Sequence, residues 1–226
     1  MPPTKPALPV AAAVTKRKGF FSFHFDDLLR VNNVRNAWKF SHPDRDIKRN
    51  FYDRSLWEST KLKNPEGLKN LIRNGMNHSS ALCVMIGTGT WERRWVRYEI
   101  ARSIIDRRGL LAIHINSLKH HHRLRPDPLG WNPLDFMGIY KSAAGGFYLY
   151  ELKNIVTNRP TGAREWRWQA YGDYQLAVPL PKYMKPPQPG YVARLSDWTN
   201  VYDHVADRGS DNLGAWIDLA AKRAGR

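Results

Sequence analysis

The chain has 226 residues, enough to bury a sizeable core as one large domain or two small ones. Apolar residues at 42% and charged residues at 25% exclude a largely disordered chain, and no apolar stretch approaches the roughly 18 residues of a membrane span. A net charge of +16 implies attraction to anions, whether nucleic acid, membrane surface or phosphorylated small molecules. Cys83 is the only cysteine, which excludes an internal disulfide and a cysteine-based metal site and fits a soluble, cytoplasmic protein. Nine tryptophans are many, but aromatic rings serve cores and ring-gripping sites alike, so their number alone decides nothing.

Residues 1–15, "MPPTKPALPVAAAVT", are rich in Pro and Ala without an amphipathic period and are expected to form a disordered leader. Order begins at "KGFFSFHF", an aromatic strand, and Asp26 and Asp27 then cap a helix over "LLRVNNVRNAW". "FYDRSLWE" reads as a short extended segment, and Pro65 opens a helix with Leu68, Leu71, Ile72 and Met76 at helical spacing. "ALCVMIG" has the continuous apolar character of a buried parallel strand. The stretch "TWERRWVRYEIARSIIDRRG" supplies the next helix, ended by Gly109, and "LLAIHIN" is another buried strand. This alternation predicts an α/β fold, a mostly parallel sheet with helices on both faces, whose ligand sits outside the carboxyl ends of the strands. Residues 16–226 are expected to form one domain, with a core over about 18–117 and an extension over 118–226 that packs on the same sheet. Within the extension "GGFYLYEL" reads as a strand and the last 30 residues as two helices broken near Gly209.

On a helix, Trp91, Trp95 and Glu99 follow one another along one flank, while Val96, Ile100 and Ile104 form a separate stripe that faces the sheet. Glu99 therefore has two readings. It either forms a surface ion pair with Arg102, or stands as a carboxylate in an aromatic cleft, able to face a developing positive charge such as the oxocarbenium of glycosidic cleavage.

The segments "FFSFHF", "VNNVRNAW", "DRSLWE", "RRWVRYEI", "IHIN" and "NPLDFMG", in this order, resemble the TIR-like proteins of the bacterial Thoeris antiphage system, the ThsB family. The resemblance implies a flavodoxin-like TIR fold and an enzyme that cleaves NAD+ at the nicotinamide–ribose bond. It further implies that the ADP-ribose part is cyclised, or otherwise converted, into a nucleotide signal that activates a separate effector protein. NAD+ is then the substrate, no cofactor is expected, a phage component is the trigger, and self-assembly through TIR contacts is an expected property. The family's catalytic glutamate, four residues beyond a tryptophan, falls on Glu99 and Trp95.

Nicotinamide leaves as a neutral base, so the site needs a group that holds the ribose diol and stabilises the cation; an ionised Glu99 can do both, with nearby arginines helping to keep it charged. Ser22, Phe23 and His24 lie at the end of the first strand, with Ser22 and His24 on one side and Phe21 and Phe23 on the other. Arg35 is a candidate pyrophosphate partner, and Asp53, Ser55 and Trp57 lie where TIR domains have a pocket-bordering loop. "HHH" at 120–122 lacks carboxylate or cysteine partners at metal-like spacing, and "GTGT" is no phosphate-binding loop, so no metal site is expected. Two other classes compete with the enzyme: a TIR interaction module without turnover, and a basic nucleic-acid-binding protein.

Overall fold

The computed structural model describes residues 17–41, 64–158 and 161–226. Four parallel strands make the first sheet: β1 (Gly19–Phe23), β2 (Ala81–Ile86), β3 (Gly109–His114) and β8 (Asn200–Asp203), in that spatial order. Helices α1 (Leu28–Ser41), α2 (Pro65–Met76), α3 (Arg94–Ile105) and α4 (Gly209–Arg223) cover it. The strands present apolar side chains to both faces, because a parallel sheet covered on both sides has no solvated face. Phe20, Leu82 and Leu110 share one register row and look toward α2 and α3; Phe21, Cys83 and Leu111 share the next and look toward α1 and α4. The expected parallel sheet with helices on both faces is therefore present.

Local sequence explains the helices. Asn64 caps α2 by accepting a hydrogen bond from the Gly67 amide at 3.0 Å, Pro65 fills the first turn, and Leu68, Ile72 and Met76 are fully buried. Each such side chain contributes about 2 kcal/mol of hydrophobic stabilisation. Asp26 and Asp27, expected to cap α1, instead sit in a 3-10 turn (Phe25–Asp27), where the Asp27 carboxylate accepts from Arg30.

Four further strands build an antiparallel sheet in the order β6 (Ala163–Ala170), β5 (Phe147–Asn158), β4 (Met137–Lys141), β7 (Val192–Arg194). Gly145 takes φ 86° in the β4–β5 turn, so "GGFYLYEL" contributes a turn at its glycines and a strand from Phe147. One face, with Met137, Ile139, Leu149 and Leu195, packs on α2, α3 and the first sheet.

Two expectations are corrected. The terminal segment contains one helix: Asn200–Asp203 is a strand that pairs with β3, because Val201 and Tyr202 suit a pleated edge and the β3 backbone offers partners a helix would leave unpaired. Residues 118–226 thus also supply a strand and a helix to the parallel sheet. Gly109 does not end α3, which stops at Ile105; Arg107 takes the left-handed turn at φ 55°. Gly109 instead opens β3, where a Cβ would lie 2.4 Å from the backbone of Ala220, so it is the place where α4 meets the sheet.

Candidate active site

α3 begins only at Arg94 and is largely buried from Val96 onward, including Val96, Tyr98, Ile100, Ala101 and Ile104. The sheet covers one side, and the 3-10 turn Pro133–Phe136 and the segment around Tyr171 and Val178 complete the cover. Glu99 is buried with them, at 7% exposure. Its partner comes from 77 residues away: Ser22 on β1 donates its hydroxyl to Glu99 Oε2 at 2.5 Å. Strand alternation explains why Ser22 is available, since it shares the α3 face of β1 with Phe20 and is itself 1% exposed.

The surface ion-pair reading of Glu99 is thereby excluded. Arg102 pairs with Asp106, one turn on, and Arg97 reaches Glu151 on β5 at 3.3 Å and the Trp91 carbonyl at 3.3 Å. The expectation that neighbouring arginines keep Glu99 ionised is also corrected. Burial pushes its carboxyl up to about 8, and the Ser22 hydrogen bond only partly offsets this. A buried carboxyl without a cation beside it favours its neutral form until a positive charge arrives.

Trp95 stands one turn before Glu99, half-buried, with its indole edge-on to Tyr98 at 6.1 Å and the Arg94 guanidinium 4.9 Å from its centroid. Trp91 leaves the flank it was expected to share. It lies in a 3-10 turn (Thr90–Glu92) and packs against Trp131 at 4.8 Å and Phe136 at 4.9 Å. His24 follows β1, with Nδ1 3.5 Å from Asp26 and beside Gly89. Phe23, like Leu118 and Tyr202, packs against the buried cluster on the α1 and α4 face, and Arg35 on α1 lies 5.6 Å from the Phe21 ring on that same face. The structure therefore brings Ser22 to Glu99 and places Phe23 and Arg35 across the sheet from them. Asp53, Ser55 and Trp57 fall outside the described residues.

Sequence reasoning missed an ionic cluster at the carboxyl ends of the strands. Arg30 joins Asp27 to Asp127, the latter at 3.0 Å, and all three side chains are 3% exposed. Burial raises the Asp27 carboxyl despite Arg30. Gly87, at the end of β2, makes room for this carboxylate: a Cβ there would lie 1.9 Å from Asp27 Oδ2. Gly130 packs equally closely on the Gly87 carbonyl, so the loop after β3 closes against the β2 exit. The glycines of "GTGT" and "PLGW" were the available signal, but their partners are long-range.

The chain matches the family described as Thoeris protein ThsB, TIR-like domain, over residues 20–120. It is also 36% identical over 210 residues to "Putative cyclic ADP-D-ribose synthase ThsB1" of Bacillus cereus (strain MSX-D12), covering 89% of this chain and 99% of that protein. A shared identity at this level over nearly the whole length of both chains, with the family match spanning β1 to the loop after β3 and including Ser22 and Glu99, places the chain in the ThsB family of Thoeris TIR-like proteins.

Proposed function

We propose that the chain cleaves the nicotinamide–ribose bond of NAD+ and closes the ADP-ribose part into a cyclic nucleotide signal, with Glu99 as the catalytic carboxylate. The observation that carries this is a buried carboxyl that, among the described residues, is held by the Ser22 hydroxyl and faced by no cation, on the helix beside the first strand of a TIR-like sheet. The name of the Bacillus cereus relative, a cyclic ADP-D-ribose synthase, supports the reaction class.

The chemistry follows from the environment. The pyridinium of NAD+ brings the missing positive charge, so its entry favours loss of the Glu99 proton, and the carboxylate then accepts from the ribose hydroxyls. The C1′–N bond breaks with its electron pair leaving on neutral nicotinamide, and the adjacent carboxylate stabilises the oxocarbenium left behind. A nucleophilic atom of the same ADP-ribose forms the new bond to C1′ and releases a proton. Ring closure competes with hydrolysis, and low exposure around Glu99 disfavours water. Trp95, His24 and Ser22 border this site in the proposal; Ser22 orients the carboxylate. The pocket-bordering role of Asp53, Ser55 and Trp57 belongs to the same proposal, as do the roles of Phe23 and Arg35 toward the distal parts of the substrate.

NAD+ enters as substrate and no separate cofactor is required. The product reaches a separate effector in the cytoplasm, with a phage component as trigger and TIR contacts between copies assembling the active form. Among the described residues no helix is long and apolar enough to cross a membrane. A module acting by assembly alone would have no use for a buried carboxyl that costs folding energy at neutral pH.

The test uses cells expressing the full chain, challenged with phage, with metabolites followed by chromatography. Nicotinamide and a cyclic ADP-ribose product are expected from the native chain and neither from Glu99→Gln. Equal NAD+ loss in both would refute the assignment.

A further inference from the structure

The antiparallel sheet has a second face that the active-site account leaves unused. Residues opposite one another in register share a face, which places Tyr140, Tyr148, Tyr150, Trp166 and Trp168 together on the side away from the core. An antiparallel sheet with one packed face normally turns polar residues to solvent on the other. Here that side is an aromatic carpet. Tyr140 and Tyr150 stack at 4.7 Å, and the end of the Trp168 ring lies 3.2 Å from where a Gly138 Cβ would stand, so the missing side chain lets the indole cross the sheet. The rings are half-buried or exposed, Trp166 at 42%. At one end the carpet continues through Trp166 and Phe136, 5.4 Å apart, to Trp131, which is 55% exposed.

Charge indicates the occupant. Arg164 and Arg194 lie on this face by register, and no acidic residue of the four strands shares it; Glu151 and Glu165 point to the other side. A second copy of a chain with net charge +16 would meet this face with like charge. A partner that is both anionic and rich in flat rings suits it: its bases stack on the aromatic groups and its phosphates meet the arginines.

We propose that the outer face of the β6–β5–β4–β7 sheet binds single-stranded nucleic acid. The rings supply sequence-tolerant stacking and the basic surface supplies salt-dependent attraction. The Tyr140, Tyr148, Tyr150 and Trp168 part of the face lies on the far side of the sheet from the layer that holds Ser22 and Glu99, while its Trp166 end meets Trp91 at 6.2 Å and Phe136 at 5.4 Å, beside the start of α3.

The experiment titrates the purified full chain into fluorescein-labelled 20-nucleotide RNA and DNA of mixed sequence and reads anisotropy. Polyphosphate serves as a competitor that has charge without bases. Binding is expected to quench tryptophan fluorescence, to outcompete polyphosphate, and to weaken about tenfold in Trp166→Ala and in Trp168→Ala, one stacking contact each. Trp168→Phe restores most of the loss, which separates stacking from folding, and Arg208→Ala, on an exposed turn away from the sheet, changes affinity less than about twofold. Equal displacement by polyphosphate, or equal weakening in the Trp166, Trp168 and Arg208 variants, would reduce the interaction to general charge and overturn the proposal. No binding to either oligonucleotide would overturn it too and assign the face to a protein partner.

Discussion

The two sheets of this molecule bury their side chains by opposite rules. In the parallel sheet both faces are covered, so almost every inward group is apolar and the few polar ones are forced into pairs. Ser22 and Glu99 meet at 2.5 Å in such a layer, and the burial that orders them also raises the carboxyl to about 8. In the antiparallel sheet only one face is covered, and the other exposes rings that a merely structural sheet would replace with polar groups. Enclosure builds a reactive carboxyl in the first sheet; openness leaves a flat recognition surface in the second.

The enclosed site should show the largest effects. Glu99→Gln is expected to lower turnover by about a thousandfold, read as nicotinamide release, because the developing cation loses its counter-charge. The same substitution alters stability in a direction set by linkage. A carboxyl raised from 4.5 to about 8 gives full stability below pH 4.5 and loses it as pH rises through about 8. The native chain should therefore weaken between those values by as much as about 5 kcal/mol, and Glu99→Gln should remove that slope; thermal unfolding of both proteins across pH measures it.

Gly109→Ala probes the covered face from its other side. A methyl group 2.4 Å from the Ala220 backbone cannot be absorbed by a rotamer change, so a loss of about 2–3 kcal/mol is expected, seen as a lower denaturation midpoint. Ser22→Ala removes the Ser22 hydrogen bond to Glu99 and should move the pH midpoint of kcat/KM upward by about one unit, with little change on the high-pH plateau. The smallest effect is expected from Arg102→Ala. Its pair with Asp106 lies near the surface, so stability should change by less than about 1 kcal/mol and turnover not at all, in contrast to what an Arg102–Glu99 pair would have given.

The sequence made the enclosed half largely legible. Continuous apolar runs such as "ALCVMI" and "LLAIHI" have few alternatives to buried parallel strands, and the placing of Glu99 outside the Val96, Ile100 and Ile104 stripe was visible from helical angle alone. What closed around Glu99 was not visible, because Ser22 is 77 residues away and the cover over α3 comes from beyond residue 130. Arg102 shows the same limit at short range: Glu99 and Asp106 are both within reach along a helix, and tertiary burial decided between them. The strand Asn200–Asp203 has four residues, too few for a period, and exists because β3 has an open edge. In "REWRWQA" the period-two alternation of Trp166 and Trp168 was present, but adjacent turn residues masked the strand it belonged to.

The most direct test of the account is the rate of nicotinamide release from NAD+ as a function of pH, measured side by side for the native chain and Glu99→Gln. In the native chain kcat/KM is expected to rise with pH and level off above about 8, and in the variant to stay at a flat baseline. A Glu99→Gln protein that releases nicotinamide at the native rate, with the native pH profile, would contradict it.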